Sequence, residues 1–443
     1  MEAIEQTTRL AAPAEEVWRW HLRPGAFERL VPPDVSARVI SRDPGVPLTG
    51  RATIAVRRGP LRATWVAEHE GDAAAMRFVD RQVCGPMRSW RHEHVVRPRG
   101  DGCDYHDRIE ATGPWWLPSG VLRRRVAGDL AWRHARVAAD LERHARFPAT
   151  PLRILVTGSS GLIGTALRAY LASAGHDVVR LLRAPEPGAA DAIVWDFQGP
   201  VPPLDGFDAV IHLAGANVAG RRWTAAAKRD LRASRLGPTA ALAAALAAHP
   251  PRALIVASGI SYYGDRRDEV AEDDACGGGF LAELARDWEA AAEPARAAGI
   301  RVAHLRLAMV LAAGGGALAK LVPAYRLGLG GRLGSGDQPV GWIALDDVLG
   351  AIEHVLHRPL AGPINLIAGW CAQREFARVL ARVLHRPRLA PPAPRALLRL
   401  ALGGMADEVL LSGTAARAAR LIDDGFTFRN QRLEQALRSE LAR

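Results

Sequence analysis

Apolar and polar residues alternate with period two in stretches such as RATIAVRRG (51–59) and LRATWVAEHE (61–70). That period predicts strands with one buried face. A helical stretch, PAEEVWRWHL, opens this region, and a long amphipathic helix, roughly Leu122 to Arg146, closes it. Helix, antiparallel sheet and long C-terminal helix make an α+β layout for residues 1–147. The pattern changes at RHARFPATP (143–151), where proline ends the helical period. Beyond it, near-continuous apolar runs (RILVTG, DVVRLLR, AVIHLAG, ALIVASG, RVAHLRL) alternate with helical stretches. Strands buried on both faces and separated by helices predict an α/β domain, a doubly wound parallel sheet over residues 152–388. The remainder, 389–443, reads as a mostly helical extension rich in Arg, Ala and Leu.

Composition narrows the function classes. Apolar residues make up 49% of 443, enough for buried cores and too many for a disordered chain. No uninterrupted apolar run reaches the ~18–20 residues that span a bilayer. The N-terminal stretch is acidic where a signal peptide needs positive charge, so a cytoplasmic location is expected. The four cysteines, Cys84, Cys103, Cys276 and Cys371, are widely spaced, without a Cys-x-x-Cys pair. A reducing compartment fits that spacing. The net charge of +11 is carried almost wholly by arginine, since Lys228 and Lys320 are the only lysines. The excess is spread along the chain, with one basic triplet (123–125) and no basic stripe interleaved with stacking aromatics, so no nucleic-acid partner is expected.

The sharpest motif is ILVTGSSGLIGTAL, which sets Gly158, Ser159, Ser160, Gly161, Leu162, Ile163 and Gly164 between the first parallel strand and its helix. Glycines there permit a tight turn and close approach of backbone N–H groups to a pyrophosphate. The helix N-terminus adds a favourable dipole. The spacing G-x-x-G-x-x-G resembles the short-chain dehydrogenase/reductase superfamily, in its extended or atypical branches, and implies a Rossmann-type cofactor domain. By that resemblance Leu213, Ala214 and Gly215 of HLAGA line the cofactor, and Asp196 of IVWDF lies beside the adenine. The second strand ends in Arg183 where an acidic residue would bind the ribose 2′-hydroxyl. An arginine there accepts the 2′-phosphate, which favours NADP(H) over NAD(H).

In that superfamily a Tyr-x-x-x-Lys pair supplies the proton and a nearby serine binds the substrate oxygen. Ser258 of IVASG matches the serine. The pair is absent: Thr224 and Gly316 stand four residues before the two lysines. The motifs S-x-x-x-YYGDR, RRWT…K…SR, GGGALAKLVPAYRLGLGGRLGSGDQPVGWIALDDV and GMADEVLLSG…GFTFR resemble the nucleotide-sugar-epimerase-like oxidoreductases with a C-terminal domain of unknown function. Those relatives lack the same pair. Tyr262 is the favoured replacement donor, with Tyr263, Asp265, Glu283, Asp287 and Lys228 as alternatives; aromatic packing or solvated charge is the competing reading of each. GLGGRLGSGDQ (328–338) reads as a mobile loop on the substrate side, with Gln338 and Trp342 as candidate contacts.

In residues 1–147, Pro13, Trp18, Gly85-Pro86 and Trp90 resemble the START-like, polyketide-cyclase/dehydrase superfamily, whose helix-grip fold implies an apolar ligand between sheet and helix. His92 and His94 alternate on one strand face, but without a third ligand nearby no metal is expected. Two functions follow from these features. One is an NADP(H)-dependent, epimerase-like oxidoreductase acting on a small or amphipathic molecule. The other is a non-catalytic dinucleotide-binding regulator or scaffold, since some relatives are linked to cell or plastid division.

Overall fold

Strand Gly102–Thr112 buries Tyr105, Asp107 and Ile109 on one face while its intervening residues are only partly covered. Helix Ser119–His144 answers with Leu122, Val126, Leu130, His134, Val137 and Leu141, spaced three or four apart along its buried side. The seven antiparallel strands run in the order Ile4–Leu10, Gly102–Thr112, Ser89–Arg99, Arg77–Cys84, Leu61–Asp72, Thr49–Arg58, Val35–Arg42. Each two-residue step keeps one face toward the long helix, which is the helix-grip arrangement expected. One element precedes the expected opening helix Ala14–Leu22: the strand Ile4–Leu10, whose alternating IEQTTRL pairs with Gly102–Thr112.

The computed structural model describes residues 3–186, 189, 191–387 and 391–442. They form two compact units, one of the first 150 residues with Ala169–Gly175, the other of Pro151–Arg168 with His176–Leu441. The expected limit between residues 388 and 389 lies outside the described residues.

The second unit is built on a seven-stranded parallel sheet, ordered Ala192–Val194, Asp177–Leu182, Arg153–Thr157, Ala209–His212, Ala253–Gly259, Arg301–Leu307, Gly362–Leu366. The order reverses after Arg153–Thr157, and such a switch opens a crevice at the carboxyl ends of the central strands. Ile154, Leu155, Val156, Val210 and Ile255 are fully or almost fully buried, as two covered faces require. The C-terminal segment returns to this unit: strand Thr414–Ala416 pairs with Arg266–Val270 just past the YYGDR stretch. Among the described residues no helix is long and apolar enough to cross a membrane.

Candidate active site

The glycine motif lies where the first parallel strand ends. Gly158 has φ 66°, and a side-chain carbon on it would fall 2.7 Å from the Leu213 carbonyl. One on Gly164 would fall 2.3 Å from the Gly158 oxygen, so helix Leu162–Ala174 reaches the turn only because this position is bare. Gly161 donates its N–H to Gly158 O at 3.0 Å and closes the turn. Ser160 and Gly161 are exposed, and Leu162 and Ile163 half-buried. Ser159 is buried, and its Oγ has no hydrogen-bond partner. A buried hydroxyl without a partner inside a turn too tight for a Cβ fits a phosphate group.

The neighbouring loop is tied to this turn. Thr157 Oγ1 lies 2.7 Å from His212 Nδ1 and accepts the Ala214 N–H, while His212 Nε2 lies 2.9 Å from Thr239 Oγ1. Leu213 and Ala214 are thereby fixed against Gly158. Arg235 donates to Ala216 O at 2.8 Å and underlies Gly215, where a Cβ would meet its guanidinium at 3.1 Å. Arg183 is exposed at the end of its strand, 6.0 Å from the Phe197 ring. The Asp196 carboxylate accepts the N–H groups of Gly199 and Gln198, bonds that hold its pKa below the ordinary value. Next to the loop, Ala216, Asn217, Val218, Trp223, Ala227 and Leu231 line a cavity of about 320 Å³.

His212 gives this floor a pH dependence. Burial pushes its pKa from 6.5 to about 4, so the folded state holds it neutral while an unfolded chain protonates it first. Its contribution is complete above pH 6.5 and is lost as the pH falls through about 4. Urea unfolding of the wild type and His212→Asn is expected to show a stability gap that narrows by about 3 kcal/mol across that interval. A gap independent of pH would contradict a buried neutral imidazole.

At the other end of the crevice, Ser258 Oγ donates to Glu289 Oε1 at 2.8 Å. Arg306 grips the same carboxylate with two hydrogen bonds of 2.8 and 2.9 Å. Its remaining Nη1 donates to the Tyr263 hydroxyl at 2.8 Å and to Glu272 O at 3.1 Å. Tyr263 in turn donates to Asn365 Oδ1 at 2.8 Å, and burial raises its pKa. Its proton is therefore held inside the core. Tyr262 is only half-buried; the Arg306 Cζ lies over its ring, 3.5 Å from the centroid.

The other candidates are engaged elsewhere. Glu283 and Asp287 both pair with Arg232; partial burial raises the Asp287 pKa, but hydrogen bonds from Arg286 and Arg232 carry it below the ordinary carboxylate range. Asp265 accepts the Gly413 N–H at 3.0 Å. The Lys228 ammonium sits over Phe280 at 4.6 Å. Gln338, expected at the substrate, is buried with its amide on the carbonyls of Leu333 and Leu410, and Trp342 is a core residue. The glycine loop they flank is held by backbone bonds of Arg332 and Gly334 to Ala393. Glu289, Arg306, Asn365 and Glu272 escaped the sequence reading. The one available signal was charge in the otherwise apolar strand RVAHLRL.

Comparison with known proteins fits this geometry. An epimerase family protein of Mycobacterium tuberculosis is 41% identical over 290 residues, 64% of this chain and 96% of the relative. The chain belongs to the epimerase family. Human epimerase family protein SDR39U1 is 34% identical over 299 residues, 66% of this chain and all of the relative. Within the epimerase region, residues 154–367 match the NAD dependent epimerase/dehydratase family model. Residues 393–440 match a domain of unknown function, and residues 10–135 match polyketide cyclase / dehydrase and lipid transport. The crystal structure of a nucleoside-diphosphate sugar epimerase from Corynebacterium glutamicum superposes with a TM-score of 0.82 and 30% identity, over 99% of this chain and 90% of that one. The structure of human SDR39U1 with NADPH gives 0.60 and 33%, over 66% of this chain and 99% of that one.

Proposed function

We propose that this epimerase-family chain is an NADP(H)-dependent oxidoreductase that reduces a carbonyl group on a small or amphipathic molecule, with Tyr262 as the proton donor. The observation that carries the cofactor is Ser159 Oγ, buried without a partner in the bare turn between Gly158 and Gly164. The structure of the human relative with NADPH supports the same dinucleotide. Gly158 to Gly164 would hold its pyrophosphate, Leu213 to Gly215 its nicotinamide half, and Asp196 would stand beside its adenine. When bound, NADPH supplies a hydride.

The chain's own residues supply the proton and the orientation. Arg306 fixes Tyr262 by stacking and Tyr263 by hydrogen bonding, so the two phenols take different parts. Tyr262, half-buried and outside the Tyr263 hydrogen bonds, would give a proton to a developing alkoxide. Ser258 has its only proton on Glu289, so it meets a substrate as an acceptor of a hydroxyl hydrogen. The cavity beside Ala216 to Leu231 is the proposed substrate space, with Trp223 and Leu231 as apolar wall and Asn217 as polar contact.

Arg183 tests the cofactor choice. It is exposed at the end of its strand, where its guanidinium can meet a 2′-phosphate. Arg183→Ala is expected to weaken NADPH by about 1.5–3 kcal/mol, the range of a charge-assisted hydrogen bond, and to leave NADH nearly unchanged. Dissociation constants from tryptophan fluorescence quenching measure both. Equal losses for the two cofactors would remove Arg183 from the 2′-phosphate.

A second reading is favoured by one feature. Ser258, which matches the superfamily serine, and Tyr263, an alternative donor, are both closed into the Glu289–Arg306 network. A dinucleotide-binding regulator would retain such a site without turnover.

A further inference from the structure

We infer that the helix-grip unit binds a divalent first-row transition metal through Asp80, His92 and His94. The register of the sheet assembles the three ligands. Asp80 on strand Arg77–Cys84 stands directly across from His92 on strand Ser89–Arg99, and His94 follows two residues on, on the same face. One ligand atom from each lies within 4.8 Å of the others. Asp80 Oδ2 is 3.4 Å from His92 Nδ1 and 3.7 Å from His94 Nε2. In a tetrahedral site with bonds near 2.0–2.1 Å, ligand atoms stand about 3.3 Å apart, and both distances from Asp80 lie within a few tenths of an ångström of that spacing. Two imidazoles and a carboxylate suit zinc or ferrous iron and leave a further position for water or a ligand oxygen.

The groups behind these ligands are arranged as supports. Asp107, fully buried on the next strand, faces the opposite nitrogens of both imidazoles: Nε2 of His92 at 3.5 Å and Nδ1 of His94 at 2.7 Å. A carboxylate on the far ring nitrogen fixes the tautomer and orientation of a metal-bound histidine. Tyr105 donates to Asp107 Oδ2 at 2.9 Å and secures it. Trp90 Nε1 donates to Asp80 Oδ1 at 3.2 Å, which leaves Oδ2 for the metal.

Asp107 also gathers the remaining histidine of the cluster, with His134 Nε2 3.3 Å from its Oδ2. His69, directly across from Asp80 on strand Leu61–Asp72, carries a buried Nδ1 without a hydrogen-bond partner. Charge agrees: a dication would offset the carboxylates of Asp80 and Asp107.

The test is titration of cobalt(II), and separately zinc(II), into the metal-stripped full-length chain. One equivalent is expected to bind, with visible cobalt absorption of a four- or five-coordinate site and a raised Tm. Asp80→Asn is expected to weaken binding at least about 100-fold, and Asp107→Asn about 10–100-fold, the range for a supporting carboxylate. If Asp80→Asn fails to fold, His92→Gln takes its place and the wild-type Tm shift stands alone as readout. Absence of saturable binding and of any Tm shift at millimolar zinc in the folded wild type would overturn the inference. Undiminished stoichiometric binding in folded Asp80→Asn would do the same.

Discussion

Arg306→Met is expected to destabilise the epimerase unit by about 3–5 kcal/mol, the cost of leaving a buried charge without its partner. Arg306 and Glu289 are 3% and 12% exposed in their side chains, and the pair is bidentate. Removing the guanidinium strands Glu289 beside Ser258 and deprives Tyr263 of one of its two hydrogen bonds. Urea unfolding followed by circular dichroism measures the loss. The double variant Arg306→Met with Glu289→Leu is expected to recover a large part, because an apolar pair of similar size removes the orphaned charge as well. Simple addition of the two single effects would show that Arg306 acts through something other than Glu289.

Tyr262→Phe is expected to lower carbonyl reduction by about 10²-fold or more, the usual range for loss of a general acid, with NADPH affinity unchanged. Tyr263→Phe has a different signature. It removes a donor to Asn365 and an acceptor for Arg306 within the core, so it lowers stability first. If both variants turn over normally, the proton comes from water or a carboxylic acid. Rates under single-turnover conditions, set beside urea midpoints for the same proteins, separate the two tyrosines.

The architecture was legible because each strand declares its burial. RILVTG and ALIVASG have no polar alternation to hide, and the glycine triplet falls where strand meets helix. The helix Ser119–His144 begins and ends within three residues of its expected limits for the same reason. What periodicity cannot reveal is a partner across the sheet. Arg306 looked like one more arginine among many until the register set it beside Ser258 on the neighbouring strand. Asp80 stood twelve residues before His92 and seemed unrelated to it, yet an antiparallel pairing makes them direct neighbours. The sequence therefore hid the carboxylate that the fold sets beside His92 and His94. Gln338 and Trp342 were misplaced for the opposite reason: a glycine-rich surrounding suggested an open loop, whereas Leu333, Leu410 and Ala393 enclose it.

Rapid mixing of the NADPH-loaded protein with a broad panel of aldehydes and ketones, following loss of the reduced nicotinamide absorbance, tests the central claim most directly. Oxidation of the bound cofactor by at least one carbonyl compound, strongly slowed in Tyr262→Phe, is the predicted result. Tight retention of NADPH with no oxidation by any compound would contradict it and leave a dinucleotide-binding regulator in its place.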